Sequence, residues 1–192
     1  MKKLVWKFLN LLNKYIAKPR MVLGYTRFDG TYLSNTRISN TTDIIASQFL
    51  DLADNVFIGH YNILEASNGI TIGEGCQVSN FTSILTHSSH QSIRLYGAHY
   101  IENNGKHLGY VTGSVSIGKY TFVGPHSVIM PGSKIGKGSI VAAYSLVKGE
   151  FPDFAIIAGN PAQIVGDTRD GDKKFLDNNP ELMKYYQEWA ND

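Results

Sequence analysis

The 192-residue sequence predicts an all-β solenoid, and three observations carry that prediction. Aliphatic residues recur six apart at Ile117, Val123, Ile129, Ile135, Val141 and Val147, often followed by Gly. The rhythm extends upstream in three frames: Ile38, Ile44, Leu50 and Val56; Ile58, Leu64 and Ile70; Ile72, Val78 and Ile84. Finally, the rhythm vanishes between Ser89 and Ser114 and resumes unchanged beyond. A helix repeats every three or four residues and an ordinary strand alternates, so a period of six fits neither. A short strand with one inward side chain, turned at Gly or Pro and then repeated, does fit. Three such sides close a coil of about eighteen residues, and coils stack as parallel strands roughly 4.8 Å apart.

Taken in order, residues 1–28 form a basic amphipathic helical segment, with Lys2, Lys3, Lys7, Lys14, Lys18, Arg20 and Arg27 and no acid. As a helix it gathers Leu4, Val5, Phe8, Leu11, Leu12, Tyr15 and Ile16 on one face beside a basic stripe. Two roles suit residues 1–18: packing on this or a neighbouring subunit, or peripheral contact with an anionic membrane. Residues 29–165 hold about five coils, each two-residue slip in the rhythm being read as a bulged corner, with residues 89–114 as an external loop. A break of that length inside a compact domain is usually functional. Residues 166–192 form a helical cap, in which Asn179 and Pro180 start a helix with an apolar stripe of Leu182, Met183, Tyr185, Tyr186 and Trp189. The stripe is expected to seal the solenoid.

Composition narrows the function. The lone Cys76 excludes an intramolecular disulfide, and nothing in its surroundings marks it as an activated nucleophile. With no cysteine pair to suggest an oxidising compartment, a cytoplasmic protein is expected, at the inner membrane face where residues 1–18 contact lipid, and no apolar run reaches the length of a membrane span. No phosphate-binding or dinucleotide-binding glycine pattern is present, which argues against ATP or NAD use, and no nucleic-acid partner is expected.

The stretch from Ser116 to Ile164, closing on Ala158-Gly159-Asn160-Pro161-Ala162, resembles the hexapeptide-repeat acyltransferase superfamily. Within it, the likeness is to the sugar and surface-polysaccharide O-acetyltransferases. The resemblance covers roughly residues 55–165. It implies a left-handed parallel β-helix, a homotrimer, and acetyl-CoA meeting a sugar or lipid-linked glycan acceptor in a cleft between prisms, with no bound metal. The family's catalytic histidine falls on His87, in Thr86-His87-Ser88, just before the external loop. Its CoA contacts fall on Phe122, Gly124, Ala142, Ala143, Lys148, Gly159 and Pro161. One departure stands out: Pro125 occupies a position whose N–H often faces the thioester carbonyl, and proline has no N–H. Either Gly124 or a residue across the interface then supplies that donor, or the acyl group sits differently.

The chemistry asks for a base, because a sugar hydroxyl is a poor nucleophile until its proton begins to leave. Imidazole titrates nearest neutrality and is the natural acceptor, which makes His87 the candidate. Its other ring nitrogen needs an acceptor to orient it, for which Glu65 on an adjoining coil and Glu102 on the loop are candidates. His90 is placed to line the acceptor mouth. His60 and His126, just after inward residues, are expected to face outward toward a cleft, and His99 and His107 ride the loop. Three alternatives remain open: sugar N-acetylation, a gamma carbonic anhydrase-like zinc enzyme using His60, His87, His90 and His126, and a non-enzymatic trimeric scaffold.

Overall fold

The computed structural model describes residues 5–9, 12, 18–103 and 107–191. Much of the amino-terminal amphipathic segment, including Leu4, Leu11, Tyr15 and Ile16, lies outside them. Residues 5–9 are helical, and Val5, Trp6, Phe8 and Leu9 are all exposed. Among the described residues no helix is long and apolar enough to cross a membrane.

The chain winds as the expected left-handed parallel β-helix with three faces. The first face stacks Tyr32–Ser39, Phe57–Ile58, Gln77–Val78, Phe122–Val123, Ile140–Val141 and Ala155–Gly159. It is extended at one end by Met21–Thr26 and at the other by Ala162–Asp167, both antiparallel. The second face stacks Asp43–Ile45, Ile63–Glu65, Ser83–Leu85, Val128–Ile129 and Leu146–Val147. The third stacks Leu50–Leu52, Ile70–Ile72, Val115–Ile117, Lys134–Ile135 and Glu150–Phe151. The six-spaced aliphatic residues point inward, and Ile58, Leu64, Val78, Ile84, Val123, Ile129, Val141 and Val147 have no exposed surface.

The slips in the rhythm are not bulged corners. They are three-residue strands of the third face with two inward side chains each: Leu50 and Leu52, Ile70 and Ile72, Val115 and Ile117. The extra strand residues lengthen the early coils, so Ile38 pairs with Ile58 and Ile58 with Val78, twenty residues on each time. Val123 pairs with Val141, eighteen on. Corners are sealed by buried hydroxyls that donate to turn carbonyls, as Ser127 and Ser145 both do to Ala142.

The helical reading of residues 1–28 is corrected at its end, where Met21–Thr26 is a strand, while the external loop and the carboxy-terminal helices are both present. The external loop carries structure of its own, an α-helix at Ser92–Tyr96 and a 3-10 segment at Gly97–Asn103. Its neck is closed by antiparallel pairing of His87 with Thr112 and Ser88 with Val111. The carboxy-terminal helices, Thr168–Asn178 and Met183–Ala190, lie along the corner between the third and first faces. There Trp189 packs on Tyr120 and Phe154. Of the predicted stripe only Tyr186 and Trp189 are covered, because Leu182, Met183 and Tyr185 stay exposed.

Close coil spacing demands glycine at specific corners. A Cβ on Gly118 would stand 2.4 Å from the backbone nitrogen of Lys137 in the next coil. Gly118→Ala is therefore expected to cost about 1–3 kcal/mol of unfolding free energy, the usual penalty for overpacking. Urea denaturation measures it, and wild-type stability in that variant would show that the coils can part.

Candidate active site

The site is built where the second face turns toward the third. Glu65 ends its strand directly opposite Leu85 of the next coil, so its side chain lies beneath the corner that carries Thr86 and His87. That register alone brings the carboxylate to the imidazole: Glu65 Oε2 is 2.7 Å from His87 Nδ1. Glu65 is buried, and a buried carboxylate needs its lone pairs filled. Thr86 donates to Oε2 from its backbone N–H at 3.2 Å and from its hydroxyl at 2.7 Å. On the other side, Ser67 donates to Oε1 from its N–H at 3.1 Å and from its hydroxyl.

These contacts decide the electrostatics. Burial alone would raise the Glu65 carboxyl, but donation from Thr86 and Ser67 and the facing imidazole outweigh it and hold the group below the ordinary glutamate value. An ionised carboxylate only accepts, so in the neutral ring the hydrogen sits on Nδ1 of His87 and Nε2 is the acceptor. The ring is fixed a second way by Tyr110, stacked on it with centroids 5.4 Å apart and planes at 16°. The neck pairing of the loop delivers Tyr110 to that place.

The remaining candidates divide by edge. Glu102 bonds His99 at 2.9 Å on the exposed loop, and within the chain it does not serve His87. His90 accompanies the site through Ser88, whose hydroxyl is 2.8 Å from its Nδ1. His107 stacks on Tyr100 inside the loop. His60 and His126 lie on the opposite edge of the second face, at consecutive steps of the turn. His60 bonds the buried Ser39 hydroxyl at 2.6 Å, while His126 stacks between Phe81 and Tyr144. Within one chain, His60 and His126 therefore do not meet His87 and His90. Among the described residues no three His, Cys, Asp or Glu side chains are grouped to hold a metal.

Gly124, Ala142, Ala143, Gly159 and Pro161 gather on that same opposite edge, with Phe122 beside them and 41 % exposed. Lys148 departs from this group, standing exposed on the His87 edge two coils further along. Gly124 cannot replace the donor missing at Pro125, because its N–H is spent on the carbonyl of Val141 at 2.8 Å. Cys76 is buried, its thiol pushed up to about 11 chiefly by desolvation, so it is no nucleophile. Sequence reasoning missed Ser67, Thr86 and Tyr110. For Ser67 a signal existed, since it precedes His87 by one twenty-residue coil.

Residues 114–149 match the family model described as bacterial transferase hexapeptide (six repeats). The carnitine operon protein CaiE of Proteus sp. is 34% identical over 121 residues, 61% of this chain and 54% of that protein. The putative lipopolysaccharide biosynthesis O-acetyl transferase WbbJ of Escherichia coli is 30% identical over 114 residues, 59% of this chain and 58% of that protein. The chain thus spans little more than half the length of these curated relatives. Among solved structures, a hexapeptide-repeat containing acetyltransferase from Vibrio cholerae superposes with a TM-score of 0.59 at 23% identity. The match covers 68% of this chain and 69% of that one, and shows the shared fold.

The lowered Glu65 carboxyl makes a pH prediction. A group whose folded value is depressed contributes stability above its unfolded value and loses it as pH falls through the folded one. Wild-type unfolding free energy should therefore decline as pH drops below the ordinary glutamate range. Glu65→Gln should be less stable at neutral pH and show a flatter acid limb. Superimposable acid limbs in urea titrations would show that the carboxylate is not held this way.

Proposed function

We propose that this chain, a member of the hexapeptide-repeat acyltransferase superfamily, transfers an acetyl group from acetyl-CoA to a hydroxyl of a sugar or surface-glycan precursor, with His87 as general base. The observation that carries the proposal is the imidazole held by Glu65 on one nitrogen and by Tyr110 on one face, with Nε2 left as an acceptor. In this reading Nε2 takes the proton of the acceptor hydroxyl as its oxygen attacks the thioester carbonyl carbon. The tetrahedral intermediate collapses by breaking the carbon–sulfur bond, and the imidazolium returns the proton to the departing thiolate. Glu65 stays ionised throughout and stabilises the transient imidazolium. An amine acceptor needs less help from a base, so the investment in His87 favours hydroxyl transfer.

The likeness to WbbJ supports a glycan acceptor, and the resemblance of the repeats supports acetyl-CoA. The distribution of candidate residues supports an oligomer. His87 occupies one edge of the second face, and Gly124, Ala142, Ala143, Gly159 and Pro161 occupy the other. About six extended residues separate the edges, roughly 20 Å, too far for one thioester carbonyl to touch both. A homotrimer that sets one edge of each prism against the other edge of its neighbour joins the two halves. The thioester oxygen then needs a donor other than Gly124 and Pro125.

Positioned base catalysis is worth about 10²–10⁴-fold, so His87→Ala should lower turnover by that factor in a thiol-release assay with acetyl-CoA and a panel of sugars. The variant should keep the circular dichroism and sedimentation of the wild type. Undiminished turnover in a folded His87→Ala protein would remove His87 from the mechanism, whereas a wild-type protein with no turnover on any acceptor would leave the scaffold reading.

A further inference from the structure

The corner between the third and first faces, remote from His87, holds a cavity of about 630 Å³ under the carboxy-terminal helices. Its wall is aromatic, formed by Tyr120, Trp189 and Phe175, and three carboxylates, Glu74, Asp172 and Glu188, stand around it against one ammonium, Lys119. Burial pushes the Asp172 carboxyl up, against donation from the Tyr186 hydroxyl, so a cation arriving there gains a partner. The mouth is apolar and uncovered: Phe175 is 72% exposed and Tyr185 55%.

A second exposed apolar surface lies on the helical residues 5–9, within a stretch of the opposite charge. Residues 1–20 carry six Lys or Arg and no acid. In the helical residues 5–9, Trp6 is 64% and Phe8 61% exposed. A peptide bearing ammonium groups between aromatic and aliphatic side chains is what an acidic, aromatic groove takes up. A lipid surface would satisfy the segment but leave the groove bare, whereas one contact covers both.

The described residues 5–9 do not line the groove of their own chain. Where the segment joins the prism it is tied to a different corner, by the Arg20 N–H on Asn40 Oδ1 at 2.8 Å and Asn40 Nδ2 on the Lys18 carbonyl at 3.3 Å. We propose that residues 1–17 of one copy dock into the aromatic, acidic groove of a neighbouring copy. This contact is independent of the acyl-transfer reading and survives its failure.

The test places a photoreactive benzoylphenylalanine at Trp6 of the full chain and refolds light and nitrogen-15-labelled protein together. After irradiation, mass spectrometry should find residue 6 linked to peptides within 172–189 in mixed-isotope pairs. Phe175→Asp should cut that yield about tenfold or more, the loss for one buried aromatic contact, without altering the fold of so exposed a position. Links confined to same-isotope pairs would return the segment to its own chain and overturn the proposal. Absence of links to 172–189 would overturn it too, including the case in which phosphatidylglycerol vesicles capture the wild-type and Phe175→Asp proteins equally.

Discussion

Everything in this molecule depends on successive coils hydrogen-bonding at the strand-to-strand distance, about 4.8 Å. At that spacing no side chain fits between corners, so Gly73, Gly118 and Gly136 stand in one column, each facing the backbone of the coil above. Turn carbonyls left inside must find donors, and small buried hydroxyls supply them. Short strands contribute little individually; the inward Ile, Val and Leu ladder makes their stacking cooperative.

The same constraint makes the His87 site. A carboxylate and an imidazole one coil apart are neighbours in space whatever lies between them in sequence, provided the register holds. Glu65 is buried because the Thr86–His87 corner of the next coil closes over it, and it stays charged because that corner and the Ser67 corner beside it both turn donors toward it. Rigid coils thus supply an oriented base without a dedicated scaffold. The loop adds the part that coils cannot, an aromatic ring laid over the imidazole by a two-residue β-pair at its neck.

The faces, the break at the loop and the helical tail were all legible, because inward residues are marked by hydrophobicity at fixed intervals. The two-residue slips were misread for a related reason: the rhythm records which residues point inward, not how many a strand carries. Glu65 was reachable by counting coils, since it lies within one coil of His87. Tyr110 was not, because its partner is set by a pairing 23 residues away across a stretch with no period. The tail misled through its stripe. A helix of eight residues shows where its apolar side chains are, but not whether a surface exists to cover all of them.

One periodic signal was legible and unread. An aromatic ring stands three residues after each of Ile58, Val78, Val123 and Val141, at Tyr61, Phe81, His126 and Tyr144. All four have φ between 58° and 60°, a left-handed conformation that costs a side-chain-bearing residue about 1–2 kcal/mol. Their rings stack face to face in a continuous column, with centroids 5.2, 4.9 and 4.8 Å apart. Each stacked pair returns about 0.5–1.5 kcal/mol. Four strained turns against three stacked pairs leave a deficit, which the backbone closes: the N–H of Phe81, His126 and Tyr144 each reaches a carbonyl of the preceding coil at 2.9 to 3.1 Å. The corner that glycine would occupy at no steric cost is therefore held by aromatic residues only because the coils are in register. That column borders the edge where the second half of the proposed site lies, so the stiffness of the edge and its chemistry have one origin.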